Sequence, residues 1–433
     1  MKKNVFIIVL MFSFIIFFQE ICWAKATKNV WVGNASSVQT DVKEAVKEAA
    51  QQIKAQLGKH KPEYVILFST VGYDSAQLLS EVKNALGKNI KIYGGTSCLA
   101  VFDQKGFFQG KTASLSMLAI ASKKMKFGVG GADLNNNDPF EAGKTAILKA
   151  MENAGEKGKN PDLILITPAP GVEEGIIEGI ESVVGQVPIT GGSSADSTIE
   201  GKWMQYANNE VFNNGVVLTA IYTKLKIGLC FEGGYNRTVD EGVVTKSKDR
   251  VIYEIDNKPA AVVYNEWVNG EFNDVINSGG NILSRATFYP LAKIIRGSGD
   301  VWYTLTTHPS SINFPEQSLS TFSKMEKGDK ITLMRGDWEI LLNRGLSTPK
   351  TALKNGGLNR DEIAFGIFTF CGGAMLAIPE GEREKLPLLV NSVLRGVPYI
   401  GTFTFGEQGY VYGIGNMHGN LVSTMVLFSH KEK

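Results

Sequence analysis

The stretch Val397–Gly409 reads V-P-Y-I-G-T-F-T-F-G-E-Q-G. It runs apolar into Ile400, breaks into glycine and hydroxyl residues, and ends on a carboxylate, Glu407. The same pattern occurs at Val187–Ser194 (V-P-I-T-G-G-S-S) and at Ile90–Ser97 (I-K-I-Y-G-G-T-S). A buried strand opening into a glycine turn lets the backbone approach a ligand closely, at the end of a sheet where such sites collect. A tight turn with no ligand is the plain alternative for any single copy. Three copies in matching positions point instead to a repeated unit.

Working outward from these segments, the unit can be traced. Val30–Val32 predicts a short strand, and Thr40–Leu57 a helix with Val42, Ala45, Val46, Ala49, Ile53 and Leu57 on one face. Thr40 or Asp41 can cap it, and Gly58 stops it. The continuous apolar run Tyr64–Ser69 suits a strand covered on both faces. A second helix over Ser75–Leu86 leads to the first glycine segment. The pattern restarts with Phe127–Ala132, which echoes Val30–Ala35 at an offset of 97 residues, while Pro161–Leu165 echoes Pro62–Ile66 at an offset of 99. An internal duplication of about one hundred residues accounts for this, and each unit needs its neighbours to bury its faces. A third, diverged copy is expected from near Lys330. In it Ile331–Met334 is the leading strand, Trp338–Leu353 the first helix, Ile363–Phe370 the buried strand, and Glu382–Leu394 the second helix. Between copies two and three, roughly Asn236–Asp329, lies an insert rich in aromatic and β-branched residues. Its Ala260–Val268 predicts a helix, and Phe288–Ile295 and Val301–Thr307 predict strands. The expected fold class is α/β: mixed β-sheets packed with helices, from about three helix-strand-helix-strand units with extra antiparallel strands.

At the N-terminus Lys2 and Lys3 precede the apolar run Val5–Phe18, and Ala24-Lys25-Ala26 places small residues at the −3 and −1 positions. That is the layout of a signal peptide over residues 1–26, cleaved after Ala26, since the run is short for the ~20 residues of a membrane helix. An uncleaved membrane anchor is the alternative. Export makes the expected location periplasmic or secreted. Cleavage would lower Lys plus Arg from 45 to 42 and Asp plus Glu from 43 to 42, leaving a formally neutral chain. Neutrality argues against a nucleic-acid partner, which needs clustered basic residues. Cys98, Cys230 and Cys371 are too few and too scattered for a disulfide framework, although one bridge and a free thiol would be compatible with them. His60, His308, His418 and His430 show no metal-ligand spacing. No metal or cofactor is expected.

Taken together these residues resemble the FIST family, a bacterial sensory module with an N-terminal and a C-terminal domain. The first is matched around Tyr64–Ser97 (YVILFSTVGYDSAQLL to IYGGTS). The second is matched by Pro259–Trp267 (PAAVVYNEW), Tyr289-Pro290-Leu291, Met325–Met334 (MEKGDKITLM), Phe368–Cys371 (FTFC) and Ile400–Gly409 (IGTFTFGEQG). The resemblance implies an N-terminal domain over residues 27–236 and a C-terminal domain over residues 237–433. It also implies sensing of a small ligand, with amino acids the proposed class, coupled to a signalling output. With no kinase, cyclase or coiled-coil transmitter in the sequence, such a receptor is expected to report through a separate, membrane-bound signalling protein. The family often shows Arg soon after the cysteine matching Cys371, and Arg three residues after the tyrosine matching Tyr303. Here Gly372–Met375 and Thr306 stand instead, and Arg285 and Arg296 are the candidates to supply the missing guanidinium.

The expected binding residues are Glu407, Gly406, Thr402, Phe403, Cys371, Tyr303, Arg285 and Arg296. Glu407 can meet a ligand ammonium or hydroxyl, against the plain reading of a carboxylate satisfied by turn amides. Cys371 ends a buried strand, where a thiol usually acts as a small hydrophobe. A thiol or serine hydrolase using Cys371 or Ser194 with His418 and Glu407 is the alternative, though no G-x-S-x-G elbow occurs. A ligand-free adaptor is the third reading.

Overall fold

The computed structural model describes residues 29–135 and 137–433, so the expected signal peptide lies outside the described residues. Three units of one plan follow each other: a leading strand, a helix, a buried strand, helical structure, a third strand, a hairpin and a return strand. In the first unit these are Val30–Ser37, helix Val42–Leu57, Tyr64–Ser69, helix Ser75–Leu86, Lys91–Thr96, the hairpin Val101–Asp103 with Gly106–Phe108, and Leu115–Ser122. The second runs Met125–Asp133, helix Pro139–Asn153, Leu163–Pro168, helix Glu173–Val184, Ile189–Gly192, the hairpin Gln205–Ala207 with Glu210–Phe212, and Gly215–Thr223. The first helix forms where its pattern predicts. Asp41 accepts the Glu44 amide at 2.9 Å as N-cap, and Gly58 ends the helix at φ +58°.

The third unit departs from expectation at its start. Its leading strand is Leu225–Glu232, which pairs with the return strand Ser423–Glu432, while Ile331–Met334 belongs to the insert sheet within Lys330–Arg335. The insert therefore interrupts the third unit between its leading strand and its helix Trp338–Asn355. Alternating apolar residues made both segments plausible strands, and only the pairing partner separates them. The unit continues through Ile363–Cys371, Tyr399–Thr404 and the hairpin Glu407–Val411 with Gly415–Gly419. Its second helix is broken into Glu380–Arg383 and Lys385–Leu394. Pro387 has no N–H to offer the Arg383 carbonyl, so one continuous helix from Glu382 is disfavoured. The insert helix Ala260–Trp267 lies where expected, and the strand Trp302–Thr307 lies within its expected range. The strand foreseen from Phe288 begins after Pro290, at Leu291.

Each unit orders its four long strands as leading, return, buried and third, with the last two parallel. A hairpin from a neighbouring unit completes every sheet. The second unit's hairpin closes the first sheet, the third unit's closes the second, and the first unit's closes the third. The inner faces of all three sheets share one core, joining Tyr64, Ile66, Leu163, Leu165, Phe365 and Ile367. Helices cover the outer faces, so strands buried on both sides explain the uninterrupted apolar runs. The insert's strands form a separate sheet around its own core, including Tyr264, Phe272 and Leu333.

The glycine segments lie in the third strands, and the turn follows them. A Cβ on Gly94 would stand 1.8 Å from the Leu67 carbonyl oxygen, and one on Gly191 would stand 2.0 Å from that of Ile166. Both have φ near +155°. At Gly401 the ring of Phe102, from the first unit's hairpin, occupies the space. Backbone crowding between parallel strands requires glycine at 94 and 191, and a side chain's ring requires it at 401.

Candidate functional site

A cavity of about 460 Å³ opens where the second unit, the third unit and the insert meet. The second unit supplies Gly171 and Glu173 at the start of a helix, with Ile199 and Trp203 from the loop before its hairpin. The third unit contributes Cys371, Gly373, Leu376, Phe405, Gly406 and Asn420. From the insert come Arg250, Leu283, Thr287, His308 and Phe322. The wall is mostly apolar, with a few polar groups converging on it, which is the usual make-up of a small-molecule site.

The polar edge is an ion-pair cluster. Arg250, in the turn after strand Asn236–Lys248, donates through Nη2 to Glu173 Oε2 at 2.7 Å and to Glu174 Oε2 at 2.6 Å. Glu173 is 1% exposed and also accepts from Ser193 Oγ at 2.7 Å and from the Gly171 amide at 3.0 Å. Glu174 accepts the Lys324 amide at 2.7 Å. Burial pushes the Glu174 carboxyl up, but the fields of His418 and Arg250 and the bonds from Lys324 and Arg250 outweigh it, holding the group down at about 2. The His418 ring is within reach of both glutamates. Its Nδ1 accepts from Gln408 Nε2 at 3.2 Å, which leaves Nε2–H to donate to the Phe322 carbonyl at 3.3 Å. One ligand atom from each of Glu173, Glu174 and His418 could meet at a cation within 4.8 Å of one another. Arg250 already supplies the counter-charge there, so the cluster acts as a clamp between insert and second unit.

Of the residues expected from sequence, Gly406 and Cys371 line this cavity. Glu407 lies just behind Gly406 and is fully buried. It accepts from Thr404 Oγ1 at 2.7 Å and from the Val422 amide at 3.0 Å. Burial drives its carboxyl up to about 8, although those bonds and Arg344 oppose the shift. Near neutrality Glu407 is thus largely a protonated, uncharged group. Cys371, Cys98 and Cys230 are free thiols, and burial, aided by Glu407, pushes the Cys371 thiol far above its ordinary range. Thr402 faces the centre of the three sheets, where a space of about 10 Å³ remains, and its hydroxyl has no partner among the described residues. Phe403 is core, its ring centroid 5.0 Å from that of Phe102.

Tyr303 donates to the Phe231 carbonyl at 2.8 Å and stacks on that ring. Arg285 forks onto Asp274 at 3.0 Å, and Arg296 lies over the exposed Trp302. None of Thr402, Phe403, Tyr303, Arg285 and Arg296 lines the cavity. The serine form of the hydrolase arrangement does not assemble. Ser194 donates to the Pro168 carbonyl and accepts from Gln205, while His418 bonds Gln408. Reading the sequence missed Glu173, Arg250 and His308. The acidic pair Glu173-Glu174 opening an apolar run was visible as a helix start, but nothing in the chain joined it to Arg250. His308 is buried, its Nε2 2.8 Å from the Leu283 carbonyl, and desolvation lowers its pKa to about 4, so it is neutral.

The FIST N domain family matches residues 63–258 and the FIST C domain family residues 260–410. An uncharacterized protein of Methanocaldococcus jannaschii, MJ1623, is 36% identical over 83 residues, a stretch covering 19% of this chain and 16% of that protein. Among solved structures, cyanuric acid hydrolase from A. caulinodans is 9% identical over 46% of this chain and 72% of its own, with a TM-score of 0.26. A second cyanuric acid hydrolase structure is 10% identical over 92% of this chain and all of its own, at 0.30. PurLQS from Thermotoga maritima is 10% identical over 93% and 74%, at 0.23. Likenesses this slight carry no argument about chemistry. The two family matches follow one another across most of the chain, which belongs to the FIST family of sensory signalling domains.

Proposed function

We propose that this protein is an exported sensor that binds a small molecule in the cavity between its second unit, third unit and insert, and reports occupancy to a membrane-bound signalling protein. The observation that carries this reading is a cavity of about 460 Å³ lined by the Phe405-Gly406 turn of the family's terminal segment. Apolar walls with an ionic edge suit a ligand that combines an apolar body with a polar head, as an apolar amino acid does. The signal-peptide layout of residues 1–26 supports export.

A thermal-shift screen of residues 27–433 against amino acids, organic acids, amines, sugars and nucleosides tests it. A single-site ligand at 100 times its Kd adds ~2.7 kcal/mol of stability, a readily seen rise in Tm. Gly373→Leu is the control. A Cβ there meets nothing nearer than 3.6 Å, so the larger side chain fills the cavity without clashing at its root. The expected result is a ligand whose shift disappears in that variant. Absence of any shift across the screen, or a shift the variant keeps, would defeat the reading.

A further inference from the structure

Two polar side chains of the cavity wall are held by the fold on one side and left open on the other. Asn420 follows the third unit's hairpin, and His308 lies between the insert strands Trp302–Thr307 and Pro309–Asn313. Each is 4% exposed, and both line the cavity. Thr306 fixes the Asn420 backbone, donating from Oγ1 to its carbonyl at 2.7 Å and accepting its amide at 2.9 Å. Asn420 Oδ1 accepts from Thr307 Oγ1 at 3.3 Å and from the His308 backbone amide at 3.4 Å. A backbone N–H can only donate, so that end of the carboxamide is the oxygen and the other is Nδ2. Nδ2 has no hydrogen-bond partner among the described residues. A Cβ on Gly406, another wall residue, would stand 3.4 Å from it. The Leu283 carbonyl, 2.8 Å from His308 Nε2, can only accept, which puts the ring proton on Nε2. Buried with no counter-charge, the ring is neutral, and Nδ1 carries a bare lone pair. Nδ1 also has no partner among the described residues. Its edge of the ring faces the cavity: a Cβ on Gly373 would stand 3.7 Å from Cε1, the atom between the two nitrogens.

A donor and an acceptor fixed in a buried wall without partners cost free energy that a matching ligand recovers. Resting on the reading that this cavity is the ligand site, we propose that Asn420 Nδ2 and His308 Nδ1 are its polar recognition pair. The ligand's head is then an uncharged group that both donates and accepts, an amide or a hydroxyl, on an aromatic or branched apolar body. An amide carbonyl accepts from Nδ2 while its N–H donates to Nδ1, and a hydroxyl does both through one oxygen. A carboxylate would set its lone pairs against that of Nδ1, and an ammonium would set its N–H groups against those of Nδ2. A zwitterion matches both partners in polarity but brings two charges to neutral groups among apolar walls, a dehydration cost that an uncharged head avoids. Arg250, the arginine in the wall, is already shared by Glu173 and Glu174. Trp203, Phe322 and Phe405 offer ring surfaces to the apolar body.

Calorimetry on residues 27–433 tests this with one phenylalkyl body under different heads: 3-phenylpropanamide, 3-phenylpropan-1-ol, the acceptor-only 4-phenylbutan-2-one, 3-phenylpropanoate, 3-phenylpropylamine and phenylalanine. The expected result is that the amide, the alcohol or both bind at least tenfold tighter than the ketone, the acid, the amine and the amino acid. Whichever of amide and alcohol binds tighter identifies the head. Asn420→Asp keeps the acceptor for Thr307 and the His308 amide but loses the donor, so the favoured head should weaken at least tenfold. Nitrogen NMR of the histidine-labelled parent needs no variant. His308 Nδ1 should be unprotonated in the free protein, and its signal should move when the favoured head binds. The recognition pair is overturned by a ketone that binds as tightly as amide and alcohol, by an Nδ1 that is protonated when free or unmoved by bound ligand, or by a folded Asn420→Asp that keeps the affinity. Should that variant not fold, the head series and the ring signal decide. Tightest binding by the acid, the amine or phenylalanine would overturn the uncharged head and leave the cavity reading standing, as would a hit confined to other classes in the broader screen. Binding of nothing in either would remove both.

Discussion

Glu407 shows how a residue's chemistry is set by what surrounds it. Its carboxyl is raised to about 8 by burial, against an ordinary value near 4.5 in the unfolded chain. Below the unfolded value both states hold the proton, and stability is fully present. As pH rises toward 8 the unfolded chain gives up its proton while the folded one keeps it, so stability falls across that window and levels above it. The fall is on the order of 5 kcal/mol at 1.36 kcal/mol per unit. Glu407→Gln should flatten this part of the profile, and urea denaturation at pH 5 and at pH 8.5 measures it. A parent protein equally stable at both values would contradict the assignment. At the same scale, Arg250→Met should cost about 3 kcal/mol by leaving buried Glu173 uncompensated. Adding Glu173→Gln should recover part of that loss in a double-mutant cycle read by denaturation.

Among the elements, those that bury a periodic face were legible from sequence. Helices Val42–Leu57 and Ser75–Leu86 and the strand Tyr64–Ser69 lie where their patterns predict them, because local spacing alone decides their inward faces. The glycine segments were legible as a repeat but not as a conformation. Gly94 and Gly191 are strand residues pressed against a parallel neighbour's backbone, a contact no local pattern encodes. Gly191→Ala should therefore destabilise by about 2 kcal/mol or more, through both its φ and its clash with Ile166. Gly381→Ala, with open space around it, should stay within about 0.5 kcal/mol of the parent. Thermal unfolding of the two variants checks the contrast.

For the whole molecule, the cyclic exchange of hairpins makes the units interdependent. The first unit's Val101–Phe108 hairpin closes the third sheet, and the third unit's Glu407–Gly419 hairpin closes the second. A fragment of residues 27–224 would leave one hairpin without a sheet and one sheet with an open edge. It should aggregate or fail to give a cooperative transition, which light scattering and calorimetry would reveal. A soluble, cooperatively melting monomer would show that the units stand alone. The same closure brings Cys371, Glu173 and Arg250 to one cavity from positions far apart in the chain.

The amphipathic helices, the apolar strands and the Gly406-Glu407 turn were fixed by the chain alone, since each depends on spacing within a few tens of residues, and the repeat was legible from matching segments about one hundred residues apart. Which strand leads the third unit, that Arg250 and not Arg285 or Arg296 lines the cavity, and which charged residue is buried were decided by the tertiary structure. Arg344 is the sharpest case. In sequence it is one charged residue on an otherwise inward helical stripe, three residues after Leu341 and four before Thr348. Its burial arises only when that helix packs over Tyr235 and Phe370, because dehydration of a charge is set by neighbours distant in sequence.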